Sequence, residues 1–379
     1  MHKLFRLNTI DWSLGMLRGQ LRFLNQEFDV VAIANDSGIL KEVAEREGVR
    51  TIGVPMHREI SIAADCRSLV ALYKLFRRER PYIVHSNTPK ASLLSMVAAW
   101  AARVPHRIYL VTGLRFETTH GILRFILKTM ERITCLCATK VIPEGDGVKA
   151  TLQREHITRK PLQKIHHGNI NGIDLEHFAR MPEVMQRATE IRNGSEDFTF
   201  IFIGRMVRDK GINELVAAFD RLNREMPATK LLLVGKFEDE LDPVLPETKQ
   251  IIENNPKIEF AGYQNDVRPF LVASDVAVLP SYREGFPNVV IQAGAMGLAQ
   301  IVTDINGCNE VVIEGQNGVI IPKQNEQALY DAMRRLATDR ELTARMAASA
   351  RELIATRYRQ EDVWAELLKM YKSLDYNVS

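Results

Sequence analysis

Two cations, one carboxylate and one helix start hold the chemistry this sequence can do. Arg205 and Lys210 follow the apolar run Phe198-Thr199-Phe200-Ile201-Phe202-Ile203, with Gly204 before them and Gly211 behind. Arginine offers a planar fork for phosphate oxygens and lysine a mobile point charge. Further on, the apolar run Asp275-Val276-Ala277-Val278-Leu279-Pro280 ends at Ser281, and Tyr282-Arg283-Glu284-Gly285-Phe286-Pro287-Asn288-Val289-Val290-Ile291-Gln292 follows. Pro287 stands where a first-turn proline opens a helix, and Gly297 where a C′ glycine closes one. The free N–H groups of such a first turn favour an anion in the preceding loop. Glu284 at the mouth of that loop adds an acceptor for hydroxyls. An anion at one end and hydroxyls at the other describe a sugar phosphate. Each half alone is weak, since surface Arg/Lys pairs are usually solvated and a loop glutamate is common; together they make a plausible diphosphate site.

The elements that must position these groups are legible as alternating strands and helices. In the first half, short apolar runs at Val30–Ala34, Tyr82–His85 and Arg107–Val111 read as buried parallel strands. Helical patterns occupy Leu14 to Phe28, Ile62 to Arg78, Lys90 to Arg103 and Ile122 to Cys137. The second half restarts the rhythm with strands at Phe198–Ile203, Lys230–Val234, Ile258–Ala261, Asp275–Leu279, Gln300–Val302 and Gly318–Ile321. A helix is expected over Ile212 to Met226, and two long ones over Gln327 to Ala355, broken near Asp339, and Gln360 to Leu374. Such alternation predicts α/β architecture, with a doubly wound parallel sheet and helices on both faces in each half. The turn-rich segment Pro161 to Pro182 separates the halves, giving expected domains 1–177 and 178–359. The C-terminal stretch 360–379 either packs on its own domain or crosses back to the first, and the pattern of Trp364, Leu367, Leu368 and Tyr371 on one helix face allows both.

Ligands of doubly wound sheets sit at the carboxyl ends of strands. In the first half those ends are Ser13-Leu14-Gly15, Ser86-Asn87-Thr88-Pro89-Lys90 and Thr112-Gly113-Leu114-Arg115-Phe116. A capping turn is an equal reading for each. No Walker loop and no GxGxxG occurs, so neither nucleotide signature is available.

The 379 residues are 46% hydrophobic and 26% charged, a globular composition sized for two domains. No run reaches the ~20 apolar residues of a membrane span. The N-terminus lacks the apolar core of a signal peptide. Cys66, Cys135, Cys137 and Cys308 are irregularly spaced and complete no zinc site, so reduced thiols in the cytoplasm are the expectation. His166-His167 lacks a carboxylate or cysteine at ligand spacing. The acidic run Glu238-Asp239-Glu240-Leu241-Asp242 mimics a metal-binding pair but reads as a solvated loop, and no metal or other cofactor is expected. The net charge of +3 conceals an asymmetry: residues 1–180 hold 27 Lys+Arg against 17 Asp+Glu, the remainder 23 against 30. Residues 51–140 hold 14 against 5, interleaved with apolar helix positions. Without a nucleic-acid motif or stacking platform, this basic half is expected to make peripheral contact with an anionic membrane at its cytoplasmic face rather than with nucleic acid.

Gly204-Arg205-x4-Lys210-Gly211, Phe260-Ala261-Gly262-Tyr263, Asp275-x4-Pro280-Ser281, Glu284-Gly285-Phe286-Pro287 and Gly315-x-Asn317-Gly318 together resemble glycosyltransferase family 4. Asn171-Gly172-Ile173-Asp174 is similar to the turn at that family's domain junction. The resemblance covers residues 160–375 by motif and the first half by pattern and position, and is strongest to bacterial members that build capsule, O-antigen or other lipid-linked glycans. It implies the GT-B fold, two Rossmann-like domains facing across a cleft, and a retaining transfer from a nucleoside-diphosphate sugar, a UDP-sugar first among them, to a lipid-linked or glycan acceptor. It implies that Arg205 and Lys210 neutralise the leaving diphosphate and that Glu284 bonds sugar hydroxyls. The backbone of Phe286, Pro287, Asn288 and Val289 would cradle sugar and phosphate, beside Gly204. The loop of Gly262 and Tyr263 would hold the base edge, and Gly15 would approach the diphosphate from the other domain. Lys90, Thr112 and Arg115 complete the expected substrate-binding set.

Two positions depart from the family pattern. Its Glu-x7-Glu reads Glu284-x7-Gln292 here, and glutamine keeps an amide oxygen for ribose hydroxyls. Thr112 stands where many members carry a histidine near the donor sugar. A UDP-sugar 2-epimerase and a non-catalytic sugar-nucleotide-binding protein are the competing readings.

Overall fold

The structure, a computed structural model, describes residues 1–57, 61–240 and 242–374. They form two compact units, one of residues 1–172 with the C-terminal stretch from Gln360, the other of residues 173–359. The sequence placed the division at Phe178; the chain passes between units at Gly172 and Ile173.

The first unit holds strands β1 (Lys3–Ile10), β2 (Asp29–Asn35), β3 (Arg50–Gly53), β4 (Ile83–Ser86), β5 (His106–Val111) and β6 (Lys140–Pro143). The second holds β7 (Phe198–Ile203), β8 (Thr229–Val234), β9 (Ile258–Gly262), β10 (Val276–Leu279), β11 (Ala299–Thr303) and β12 (Gly318–Ile321). All neighbouring strands are parallel. The sheet orders are β3-β2-β1-β4-β5-β6 and β12-β11-β10-β7-β8-β9. These are one topology used twice: the first three strands of each unit run outward in one direction and the next three in the other. The order reverses between β1 and β4, and between β7 and β10. Such a reversal splays the loops at the carboxyl ends of the two central strands and opens a crevice there. The fold class expected from sequence therefore holds for both units.

Helix Gln360–Lys372 belongs to the first unit. Trp364 donates from Nε1 to the Asn171 side chain at 2.7 Å, and its ring lies against Gly19. A Cβ on Gly19 would stand 2.6 Å from that ring. On the same helix, Tyr371 accepts a hydrogen bond from Arg6 at 2.6 Å and lies 2.5 Å from Nδ1 of His85. Gly19 also corrects the expected helix Leu14–Phe28. Its φ of +79° interrupts the segment, which becomes a 3-10 turn, Asp11–Leu17, and a short helix, Gln20–Leu24.

Three helices of the first unit, Ile62–Glu79, Pro89–Ala101 and Gly121–Cys137, pack side by side. The last buries a carboxyl: Glu131 accepts a hydrogen bond from Tyr109 at 2.8 Å. Burial raises its pKa to about 7, against the smaller lowering effect of the Tyr109 hydroxyl. Below pH 4.5 both folded and unfolded states hold the proton. As pH rises the unfolded state releases it first, so stability declines up to about pH 7 and stays lowered above, by roughly 3 kcal/mol. Urea unfolding of wild type and Glu131→Gln from pH 4.5 to 8 should give a gap that widens with pH in favour of the glutamine variant. A gap that does not change with pH would contradict this.

Candidate functional site

In the second unit the crevice between β7 and β10 is built from two loops that touch. After β7 the chain runs through Gly204 and Arg205 into a 3-10 turn, Arg208–Lys210, which Gly211 ends at φ +70°. A Cβ on Gly211 would run into the Pro280 carbonyl, 2.9 Å from its carbon and closer still to its oxygen. Glycine is therefore required twice at this position, for its backbone and for the approach of the loop after β10. The two loops are then stitched together. Tyr282 N–H donates to the Asp209 carbonyl at 2.8 Å, and Arg283 Nε to the Asp209 carboxylate at 3.0 Å. The Tyr282 hydroxyl reaches Glu214 at 2.5 Å.

This stitching brings Lys210 and Glu284 into a direct ion pair, both largely buried. Under them lies the fully buried Cys308. Burial pushes its thiol well above the ordinary range, the Glu284 carboxylate pushes it further, and Lys210 opposes. Cys308 is thus a neutral packing group and no nucleophile.

The helix Asn288–Ala295 starts one residue later than Pro287, which is its cap with φ −75° and ψ 110°. Gly297 takes the left-handed conformation expected beyond the helix end, φ +74°. Phe286 points into the core, edge-on to Tyr358 at 5.6 Å between centroids. Only its backbone faces the loop. Gly307 backs this segment: a Cβ there would stand 2.7 Å from Phe286 Cα. Gln292 sits one turn into the helix, half-buried.

Arg205 stands apart from the Lys210–Glu284 pair. Its side chain is 47% exposed and bonds Glu238 at 2.7 Å. The acidic run is therefore not simply solvated, as its sequence suggested. Glu238 holds Arg205, Asp239 holds Lys249 at 2.7 Å, and Asp242 accepts from the Asp209 N–H at 2.7 Å beside Arg208. The basic loop supplies the cations for Glu238 and Asp242, an attraction invisible when each segment is read alone, and the following helix, Pro246–Asn254, supplies Lys249 for Asp239. Leu241 lies outside the described residues. Among the described residues no cluster of three or more His, Cys, Asp or Glu side chains has the makings of a metal site.

At the end of β9, Gly262 turns with φ +66° and its carbonyl accepts from Gly235 N–H at 2.8 Å. Tyr263 is 65% exposed, with Lys236 Nζ 5.1 Å from its ring centroid.

In the first unit, Gly15 lies exposed in the turn after β1. No atom comes within 4 Å of a Cβ built there, so the fold leaves open space beside it. Lys90 bonds both oxygens of Asp65, at 2.8 and 3.1 Å, tying helix Pro89–Ala101 to helix Ile62–Glu79. Thr112 donates to the Asn87 carbonyl at 3.0 Å, joining the loops after β5 and β4. Arg115 is exposed in the short turn Arg115–Thr118. Sequence reading missed the Asp209–Arg283 and Tyr282–Glu214 pairs and the backing residues Gly307 and Cys308. Partners so far apart in the chain leave no local signal, though the glycine at 307 invited attention to a tight approach.

Residues 197–339 match the family described as glycosyl transferases group 1, and residues 11–166 the glycosyl transferase 4-like domain. The chain is 31% identical over 373 residues, 98% of its own length and 97% of the relative's, to the capsular polysaccharide biosynthesis glycosyltransferase CapM of Staphylococcus aureus. It is 30% identical over 327 residues, 84% of its length and 82% of the relative's, to an Escherichia coli UDP-Gal:alpha-D-GlcNAc-diphosphoundecaprenol alpha-1,3-galactosyltransferase. Among solved structures, Anabaena HepE in complex with UDP has the same fold, with a TM-score of 0.81 at 18% identity, covering 98% of this chain and 100% of that one.

Proposed function

We infer donor, acceptor and stereochemistry from one premise: the chain belongs to the group 1 glycosyl transferases, with a family 4-like first domain, and is a glycosyltransferase. The proposal is transfer of a hexose or N-acetylhexosamine from a UDP-sugar to a lipid-diphosphate-linked glycan of a bacterial surface polysaccharide, with retention at the anomeric carbon. The epimerase and binding-only readings give way to the family membership. The observation that carries the site is the meeting of Lys210 and Glu284 at the strand-order reversal between β7 and β10. A donor placed there has its diphosphate at Lys210, Arg205 and the start of helix Asn288–Ala295, and its sugar hydroxyls at Glu284. The exposed ring of Tyr263 and the Gly262 turn take the base edge, and Gln292 the ribose. The lipid-linked acceptor is supported by the 30% identical relative, whose name specifies a diphosphoundecaprenol substrate.

Lys210 and Glu284 compensate each other in the free protein. Donor phosphates draw on the lysine, and Glu284 is then free to accept from sugar hydroxyls. As the glycosidic bond to UDP breaks, negative charge grows on the β-phosphate, and in this reading Lys210, Arg205 and the helix N–H groups stabilise it there. Positioning of the acceptor hydroxyl on the same face lets the departing phosphate take its proton. The test is to incubate the protein with UDP-sugars alone and then with a lipid-diphosphate sugar. Acceptor-dependent UDP release with a lengthened glycan is expected; donor epimerised at C2, or tight donor binding without turnover, would overturn the proposal.

Gln292 acts here as a neutral acceptor. Gln292→Glu should be tolerated, whereas Gln292→Leu should raise the donor KM about tenfold, the worth of one hydrogen bond to a sugar hydroxyl. An unchanged KM in the leucine variant would remove Gln292 from the site. The cationic pair also makes a metal unnecessary for leaving-group charge. Activity in excess chelator should match the untreated enzyme, and a loss restored by magnesium or manganese would contradict this.

A further inference from the structure

Helix Gly121–Cys137 is built inside out. Its buried residues are Glu131, Thr134, Cys135 and Cys137. Its cations Arg124 and Lys128 turn to Glu155, at 2.9 and 2.7 Å. Ile122, Phe125, Ile126, Ile133 and Leu136 face outward along one stripe, with Ile122 81%, Phe125 66% and Leu136 77% exposed. A helix in water buries its apolar stripe, so this one is shaped for a second apolar medium.

Charge on the same helical layer says which medium. Helix Gly121–Cys137 packs on Pro89–Ala101, and that on Ile62–Glu79. The layer exposes Arg67, Lys74, Arg77 and Arg132, with Trp100 and Tyr73 among them, while Arg78 pairs with its neighbour Glu79 at 3.4 Å. The acidic residues of this layer are spent internally: Asp65 on Lys90, Glu79 on Lys3 and Arg50, Glu131 on Tyr109. In the linking turn, Glu117 accepts from Thr151. Aliphatic and aromatic side chains ringed by cations that have no carboxylate partner among the described residues match a headgroup layer of anionic lipid over an acyl interior. A second copy of the chain would set these cations against their own kind in an isologous contact.

We propose that this layer is a docking surface for an anionic bilayer, with the stripe of helix Gly121–Cys137 seated among the lipid headgroups. It names the setting of the acceptor reading given above and rests on that reading for its purpose. No helix among the described residues is long and apolar enough to cross a membrane. Each cation near the surface adds about a fivefold factor in partitioning, screened over ~8 Å at physiological ionic strength.

The experiment is sedimentation of the full chain with vesicles from pure phosphatidylcholine to mixtures rich in phosphatidylglycerol, at low and high salt. It compares wild type, Ile122→Ser/Phe125→Ser/Leu136→Ser, and Lys74→Glu/Arg77→Glu. Transfer to a water-soluble short-chain diphosphate sugar and light scattering are followed alongside. Wild type should bind phosphatidylglycerol vesicles at low salt, each variant at least about tenfold less, and all three should transfer to the short-chain acceptor equally. Binding without any transfer would support the surface and overturn the acceptor reading. Equal recovery of wild type in every supernatant would overturn the surface, as would a dimer that the serine variant dissolves without any lipid dependence.

Discussion

Replacing Lys210 by alanine is expected to lower kcat/KM by on the order of 10²–10³, the loss seen when one preorganised donor to a developing anion is removed. The reason lies in where the ammonium sits. It is largely buried and held against Glu284 at the crevice between β7 and β10. A unit charge 4 Å away is worth about 1 kcal/mol in bulk water and about 4 kcal/mol at an effective dielectric of 20. Arg205, half exposed and shared with Glu238, works nearer the first limit, so Arg205→Ala should cost less, about tenfold. Removing Lys210 also strands the Glu284 carboxylate, which lowers stability on its own account. Lys210→Ala/Glu284→Gln should restore the melting temperature and leave turnover depressed. Wild-type rates in both single variants would remove the pair from the diphosphate.

The second large effect is expected from Gly211→Ala. The left-handed backbone costs a side chain ~1–2 kcal/mol, and the added methyl meets the Pro280 carbonyl, which forces the two loops apart at ~1–3 kcal/mol more. Because those loops carry Lys210 and Glu284, turnover should fall together with stability. Gly15→Ala is the comparison: open space surrounds that position, and its melting temperature should stay at the wild-type value. Thermal unfolding of both variants decides the matter, and an unchanged melting temperature for Gly211→Ala would show that the loops do not meet as described.

How much of this was legible in the sequence depended on burial. Strands covered on both faces read as apolar runs, and Phe198–Ile203 and Gly318–Ile321 have the bounds their residues predict. Lys3–Ile10 does not announce itself in that way. Its Arg6 and Asn8 are buried; Arg6 bonds His85 and Tyr371 and Asn8 bonds Asn87, partners from distant parts of the chain, besides the nearby Ser13 carbonyl. The helix expected over Leu14 to Phe28 failed for a related reason: the ring against Gly19 comes from Trp364, near the other end of the chain. In the site, Arg205, Lys210 and Glu284 stood out because strand ends and flanking glycines mark them. That Lys210 meets Glu284 while Arg205 meets Glu238 followed only from the strand order, since loops become neighbours when their strands do. The acidic run was misjudged by the same limit: two of the cations it neutralises, Arg205 and Arg208, follow a different strand.

The configuration of the product tests the central account most directly. With an α-linked UDP-sugar and a lipid-diphosphate sugar as acceptor, nuclear magnetic resonance of the lengthened glycan should show an α-linkage, with one UDP released for each sugar transferred. A β-linkage would contradict retention and the same-face attack in which the departing phosphate takes the acceptor's proton.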